Sequence, residues 1–235
     1  MRLREFISEA KLTLFPGTVP FDQIKGTQVI GPEVAKVLTP LGTEIYPIGS
    51  SANPKPNKTS NDYDVQIDQA AVEQYFNVSG AAAAKKALEK YLQAKGYDTR
   101  VTGITVHYEL PVAGAKYQVD VEVVPDAANI HQLHRHNIPD KSPYKGVNKQ
   151  QLLSKLAKDK GLLYAAWNGL FQRTPENKRG DFITNNIDQI AAAVLGKGAT
   201  GQDLGSVESI LAKVPNAQAV LTQMKTDPNW QEQPV

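Results

Sequence analysis

The sequence predicts an α+β protein with a small mixed, largely antiparallel sheet flanked by helices, followed by a helical C-terminal domain. Segments between residues 45 and 124 alternate apolar and polar side chains, which is the period of half-buried strands. Between them lies an alanine- and lysine-rich segment with the composition of a helix. From Lys149 onward, apolar residues recur at helical spacing instead. We therefore expect two domains, at residues 1–140 and 141–235.

The composition limits the class of protein. Of the 235 residues, 41% are apolar and 21% are charged, which is ordinary for a globular chain with a sizeable core. The absence of cysteine excludes disulfides, thiolate zinc sites and thiol catalysis, and it fits a reducing compartment. No apolar run reaches about 18 residues, and the first residues lack the features of a secretory signal. We expect a cytoplasmic protein without a membrane partner.

Periodicity and turn residues predict the individual elements in chain order. Alternation predicts strands, proline and Gly mark turns and helix ends, and Asp181 has the position of a helix N-cap. The expected helices cover residues 2–12, 31–38, 70–95 with a break at 77–80, 149–171 and 182–195. The expected strands cover residues 45–48, 62–68, 99–110 and 116–124, the last two forming a hairpin.

The most informative stretch runs from Ile45 to Asp68. A short apolar strand ends in Gly49-Ser50-Ser51, where the backbone can turn sharply and leave N–H groups free. A polar loop with two prolines and two lysines follows. Alternation then places Asp62 and Asp64 on one face of the next strand. Two such carboxylates remain anionic together only if a cation lies between them.

Gly49-Ser50 followed by Asp62-x-Asp64 resembles the DNA polymerase beta-like nucleotidyltransferase superfamily, over roughly residues 30–125. The resemblance implies that Gly49 and Ser50 bind the triphosphate and that the aspartates hold two divalent metal ions. It also requires a third carboxylate on a neighbouring strand. Asp120, followed by an apolar residue, Glu122 and Val-Val-Pro, fits that pattern, and Glu122 is the alternative because it shares the same face.

Nucleotidyl transfer is therefore the expected reaction, with a nucleoside triphosphate such as ATP as donor. The resemblance implies two Mg²⁺ ions, with Mn²⁺ as a substitute, bound by Asp62, Asp64 and Asp120. Ser51 and Lys58, or Lys55 on the same loop, would add contacts to the phosphates. The expected acceptor is a nucleic acid end, in the first place RNA.

Three other interpretations stay open at this point. The acceptor could be a protein or a small molecule, as in toxin-type and antibiotic-modifying relatives. The chain could be a non-catalytic module that binds nucleotide or nucleic acid. It could also be a structural protein of an assembly, since its opening residues are similar to those of phage-encoded proteins. The presence of all three carboxylates favours catalysis, because their repulsion would be a burden without a bound cation.

Two further features concern partners. Residues 141–180 hold nine Lys or Arg against Asp159 and Glu176, and we expect this basic region to bind a polyanionic acceptor. Its aromatic residues Tyr144 and Trp167 could stack on bases, although the helical pattern puts Trp167 in the core. His131, His134 and His136 match no metal-binding spacing and are interpreted as surface or pocket-lining residues.

Overall fold

A computed structural model describes residues 14–135, 137–139, 141–176, 178–227 and 230. The helix expected over residues 2–12 therefore lies outside the described residues. The chain divides into two compact units, Met1–His131 and Gln132–Val235. The boundary predicted from the sequence, between residues 140 and 141, lies about nine residues later in the chain.

The N-terminal unit alternates strands with helices. Its strands are β1 (Phe21–Asp22), β2 (Ile45–Pro47), β3 (Thr59–Ser60), β4 (Asp62–Asp68), β5 (Thr99–Thr102), β6 (Thr105–Val112) and β7 (Ala115–Val124). Its helices are α1 (Gln23–Leu38), α2 (Gly49–Ala52), α3 (Gln69–Phe76) and α4 (Ala81–Ala94), with a 3₁₀ turn at Thr39–Leu41. Helix α5 (Ala127–His134) follows β7 and carries the chain into the second unit.

Five of these strands form one mixed sheet in the order β2-β4-β7-β6-β5. The pair of β4 and β7 is parallel, and the other three pairs are antiparallel. The remaining strands, β1 and β3, form a separate two-stranded ribbon. The structure thus confirms a mixed α+β fold with a small, largely antiparallel sheet.

The two faces of the central strands differ in chemistry. On β4, Tyr63, Val65 and Ile67 point into the core, where they are at most 3% exposed. The core is completed by apolar residues of α1 and α4, among them Ile30 and Leu88. Because side chains alternate along a strand, this burial forces the intervening polar residues onto the other face.

Helix α1 begins eight residues before the position predicted from Gly31-Pro32. Asp22 caps it by accepting a hydrogen bond from the Lys25 N–H at 2.9 Å, which is the signal that the sequence analysis overlooked. Pro32 lies inside the helix and removes one backbone donor. Burial of the apolar stripe that includes Ile30 offsets that loss.

The C-terminal unit combines helices with a second sheet. Its strands β8 (Leu162–Ala165), β9 (Gly169–Arg173) and β10 (Arg179–Thr184) form an antiparallel sheet in the order β10-β9-β8. Its helices are α6 (Gly146–Asp159), α7 (Ile187–Leu195), α8 (Val207–Lys213) and α9 (Ala217–Lys225), with a 3₁₀ turn at Gly201–Leu204. The C-terminal unit therefore differs from the expected helical domain, because it contains a sheet of its own as well as helices.

Two of the helices predicted from the sequence are longer than the observed ones. The helix predicted over residues 149–171 ends at Asp159, because Gly161 takes a left-handed conformation (φ 70°) that starts the hairpin of β8 and β9. The helix predicted from Phe182 begins at Ile187. Its cap is Asn186, which accepts from the N–H groups of Asp188 and Gln189, whereas Asp181 lies on β10.

Within the described residues, every helix is too short or too polar to cross a bilayer.

Candidate metal and nucleotide site

Three carboxylates converge on the polar face of the mixed sheet. Asp62 and Asp64 lie on β4, and Asp120 lies on the adjacent parallel strand β7, directly opposite Asp64 in the register. One carboxylate oxygen from each residue lies within 4.8 Å of the other two. A single cation can touch all three at this spacing, since carboxylate oxygens bind divalent ions at about 2.0–2.6 Å. Their roles in catalysis and metal binding remain predictions.

The Gly-Ser turn packs directly beside these carboxylates. The Ile48 N–H donates to the Asp64 carbonyl at 3.1 Å, which holds the end of β2 against β4. Gly49 has φ 55°, and a Cβ at this position would lie 3.3 Å from Asp64 Oδ2. A residue without a side chain is therefore favoured for both conformational and steric reasons.

The two serines of the turn make different contacts. The Ser50 hydroxyl lies 3.0 Å from the Ser60 hydroxyl, and Ser60 in turn donates to Asp62 Oδ1 at 3.3 Å. Ser51 is buried, and its hydroxyl accepts a hydrogen bond from the Asp64 N–H at 2.9 Å. Ser51 thus fixes the strand on which Asp64 lies, which differs from the phosphate contact expected for it.

Asp120 is oriented by two buried neighbours. His107 Nδ1 lies 2.8 Å from Asp120 Oδ1, and the Gln118 amide donates to the same oxygen at 3.0 Å. His107 Nε2 lies 2.6 Å from the Thr102 hydroxyl. With a proton on Nδ1, the ring donates to Asp120 and accepts from Thr102. Both of these bonds use Oδ1, so they leave Oδ2 of Asp120 for a cation.

The electrostatics of the cluster favour cation binding. Burial, followed by the negative charge of Asp120, raises the pKa of Asp62 to about 6. The Ser60 hydroxyl and His107 act in the opposite direction but do not compensate. A bound cation would reverse the balance, because an opposite charge favours the ionised carboxylate. In the metal-free protein the site therefore holds charge that is incompletely neutralised.

The remaining predicted site residues lie apart from this cluster. Glu122, the alternative third carboxylate, accepts a hydrogen bond from the Gln66 amide at 2.6 Å and is not part of the three-residue group. Lys58 is exposed at the end of the connecting loop, and its carbonyl accepts from the Gln23 N–H at 2.9 Å. The Lys55 N–H donates to the Gln23 side chain, so the loop is tied to the start of α1.

The basic region 141–180 is less uniform than its sequence indicates. Lys149 is 1% exposed, and its ammonium group donates to the carbonyls of Leu133 and Arg135 at 2.7 and 3.3 Å. Burial lowers the pKa of Lys149 to about 7. Lys149 is therefore not part of the exposed basic surface of this region. Trp167, predicted on a helix face, lies half-buried in the turn between β8 and β9.

The two described histidines of the 131–136 segment make contacts with groups other than the three aspartates. The His131 ring stacks on Tyr46 with centroids 4.3 Å apart, and its Nδ1 lies 2.9 Å from the Ala127 carbonyl. His134 is buried, with Nε2 3.0 Å from the Ala166 carbonyl. His136 lies outside the described residues. Across the described part of the chain, the aspartate cluster is the one group with ligand spacing for a metal ion.

Sequence reasoning missed the residues that support the carboxylates, chiefly His107, Gln118 and Ser60. A signal for His107 was present in the hairpin of β6 and β7. Pairing outward from the Ala113-Gly114 turn puts residue 107 opposite residue 120, as observed. Ser60 gave no comparable signal, because its position depends on the ribbon of β1 and β3.

Comparison with protein-family models and with curated protein sequences gives no match to this chain.

Proposed function

We propose that the protein is a metal-dependent nucleotidyltransferase that moves a nucleotide from a nucleoside triphosphate to an acceptor and releases pyrophosphate. The observation that carries this proposal is the convergence of Asp62, Asp64 and Asp120 within 4.8 Å, beside the Gly49-Ser50 turn. Carboxylates alone would fit many metal sites. The adjacent turn with its backbone donors adds the element that a triphosphate needs.

The donor set fits hard divalent cations. Three carboxylates supply only oxygen ligands, which favours Mg²⁺, with Mn²⁺ as a substitute. The raised pKa of Asp62 without an ion is the expected property of a site built to hold positive charge. Two such ions, when bound, would stabilise the charge on the attacking and leaving oxygens of an in-line displacement.

The protein residues then have distinct tasks. Asp62 and Asp64 would hold the metal ions, while the Gly49 backbone and the Ser50 hydroxyl would orient the β- and γ-phosphates. Asp120, held by His107 and Gln118, would bind a metal ion as well and help to remove the proton of the acceptor hydroxyl. The acceptor oxygen bonds to the α-phosphorus as the bond from that phosphorus to the bridging oxygen breaks, and pyrophosphate leaves.

We further propose a nucleic acid end, in the first place RNA, as the acceptor. The support is the excess of basic residues between 141 and 180, with Lys149 now excluded from the binding set. Lys141, Lys178 and Arg179 are exposed in that region. The experiment must distinguish a nucleic acid acceptor from a protein or a small molecule.

The test is transfer of label from each of the four α-³²P ribonucleoside triphosphates to total RNA, DNA or protein, with Mg²⁺ or with EDTA. We expect label in the RNA fraction, dependent on Mg²⁺ and lost in Asp64→Asn. The Asp22→Asn variant is a matched control, because that residue caps α1 away from the carboxylates and asparagine caps equally well. Label in the protein fraction would mean that the acceptor is a protein and not RNA. The absence of transfer with both Mg²⁺ and Mn²⁺ would refute the proposed function.

A further inference from the structure

The small sheet of the C-terminal unit has two unlike faces. On one face, Tyr164, Leu170 and Thr184 are buried, and the Tyr164 hydroxyl donates to the Gln150 side chain of α6 at 2.5 Å. This face is therefore the one attached to the helices of its own unit. On β9, Phe171 and Arg173 alternate with the buried Leu170 and therefore point to the opposite face. On β10, an irregularity in the register between Phe182 and Thr184 places Phe182 opposite Phe171.

On the opposite face, two phenylalanines and an arginine contact one another. The Arg179 guanidinium lies 4.5 Å from the centre of the Phe171 ring. The Phe182 ring meets Phe171 edge to face, with centroids 5.4 Å apart. Arg173 pairs directly with Arg179 in the register of β9 and β10, so the arginine pair lies beside the phenylalanine pair.

The exposed part of this face is the Phe182 ring. Phe182 is 55% exposed, more than any other large apolar side chain in the described part of the chain, and its neighbour Ile183 is 39% exposed. The hairpin of β9 and β10 also carries Lys178, against the acids Glu176 and Asp181. Phe171 is only 8% exposed, so Phe182 is the ring of this pair that a ligand can reach, and charged side chains surround it.

The chemistry of the face selects one kind of partner. An exposed ring with guanidinium groups beside it suits an unpaired base and its flanking phosphates, since bases stack on aromatic side chains and arginine binds phosphate. A duplex hides its base faces and could use only the charges. We propose that the Phe171–Phe182 face binds single-stranded nucleic acid, with a base on Phe182 and phosphates on Arg173 and Arg179. This deepens the proposed function, on which it rests for the strand's role as acceptor.

The test is fluorescence anisotropy of labelled 12-nucleotide single strands, RNA and DNA, with the full chain in EDTA and without triphosphate. Phe182→Leu should weaken binding about five-fold or more at every salt concentration, because it removes a stacking ring but no charge. Phe182→Tyr should bind as the unmodified protein does. Arg179→Gln should weaken binding and also reduce the slope of log K against log salt by about 0.7.

Matched controls separate these effects from general losses. Tyr75→Leu removes an aromatic ring that is 49% exposed in the N-terminal unit, and Lys197→Gln removes an exposed charge from the C-terminal unit. Both should leave affinity and salt slope unchanged. Thermal unfolding of each variant confirms that it folds, which is expected for changes at exposed positions.

Several outcomes would overturn the inference. The single strands could fail to bind, or bind equally well to Phe182→Leu. A wild-type dimer that becomes monomeric in Phe182→Leu would make the face a contact between copies, and a peptide paired with edge strand β10 would make it a peptide site. The proposed function fails separately: Phe182-dependent binding without label transfer refutes the enzyme alone. Transfer to RNA unaffected by Phe182→Leu refutes this surface alone.

Discussion

Replacing Asp62 by asparagine should stabilise the metal-free protein. Burial and the charge of Asp120 raise the pKa of Asp62 from its ordinary value of 3.8 to about 6. The folded state therefore keeps a proton that the unfolded chain loses, and stability falls as pH rises through the interval between these values. At pH 7 the cost is about 3 kcal/mol, since one pKa unit corresponds to about 1.36 kcal/mol. Asparagine has nearly the same shape and no charge, so the variant avoids this cost.

The pH dependence gives the prediction its specificity. At pH 4.5 Asp62 is protonated in the folded protein, and the advantage of Asp62→Asn should shrink to about 1 kcal/mol. The measurement is hydrogen exchange of the Val65 and Val121 amides, on strands β4 and β7, in EDTA at both pH values. Exchange at these amides reports the opening of this sheet independently of the C-terminal unit.

The control for Asp62→Asn is the variant Asp22→Asn. Asp22→Asn makes the same substitution of a carboxylate by an amide at an exposed helix cap. We expect it to change the free energy of opening by less than about 0.5 kcal/mol. If Asp62→Asn is no more stable than the unmodified protein at pH 7 in EDTA, the carboxylates do not repel one another as the geometry requires. Mg²⁺ should stabilise the unmodified protein more than Asp62→Asn, because the ion neutralises the same charge.

Three further predictions concern residues around and beyond the carboxylates. His107→Leu should weaken Mn²⁺ binding by about 10- to 100-fold through loss of the bond that orients Asp120, with partial recovery in His107→Gln, both measured by electron paramagnetic resonance. Gly49→Ala should lower Mn²⁺ affinity in the same assay, because its methyl group would press on Asp64 Oδ2, and an unchanged affinity would contradict the observed packing. The stability of the C-terminal unit should rise between pH 7 and 10, by at most about 1.4 kcal/mol per pH unit, because the lowered pKa of Lys149 makes the folded state lose its proton at a lower pH than the unfolded state does. Lys149→Met should abolish this rise, as measured by chemical unfolding followed by Trp fluorescence.

The strand pattern was readable from sequence because burial enforces it. Alternation around Tyr63 and Val65 left only one face for Asp62 and Asp64, and the same rule on β7 placed Asp120. The convergence of these residues required one additional fact, the parallel pairing of β4 and β7. Local sequence does not specify which strands become neighbours or in which direction they pair. The superfamily resemblance predicted only that the third carboxylate lies on a neighbouring strand, and the parallel pairing was not predicted.

The predicted helix over residues 149–171 was too long for a definite physical reason. Leu163 and Leu170 continue the helical spacing of α6, yet they belong to β8 and β9. The decisive residues were Gly161 and Gly169, whose left-handed backbone ends the helix and permits the hairpin. At Gly169 a Cβ would lie 2.4 Å from the Thr184 carbonyl, so the close approach of β10 also requires glycine. A periodicity shared by helix and strand could be resolved only by such turn residues.

The buried polar contacts lay beyond sequence reasoning for a different reason. Lys149 was counted as a surface charge because lysine is rarely fully buried. Its burial depends on the carbonyls of Leu133 and Arg135, which accept from it after the chain has folded. The support of Asp120 by Gln118 likewise follows from tertiary packing rather than from a motif.

The central claim is that Asp62, Asp64 and Asp120 catalyse transfer of a nucleotide. The most direct measurement compares two labels on the same triphosphate, ³²P at the α-phosphate and ³²P at the γ-phosphate, in otherwise identical reactions with Mg²⁺ and RNA. We predict that the α label enters the acceptor and the γ label appears only in pyrophosphate, with neither event in Asp64→Asn. Transfer of the γ label to the acceptor, or α-label transfer that persists in Asp64→Asn, would contradict the claim.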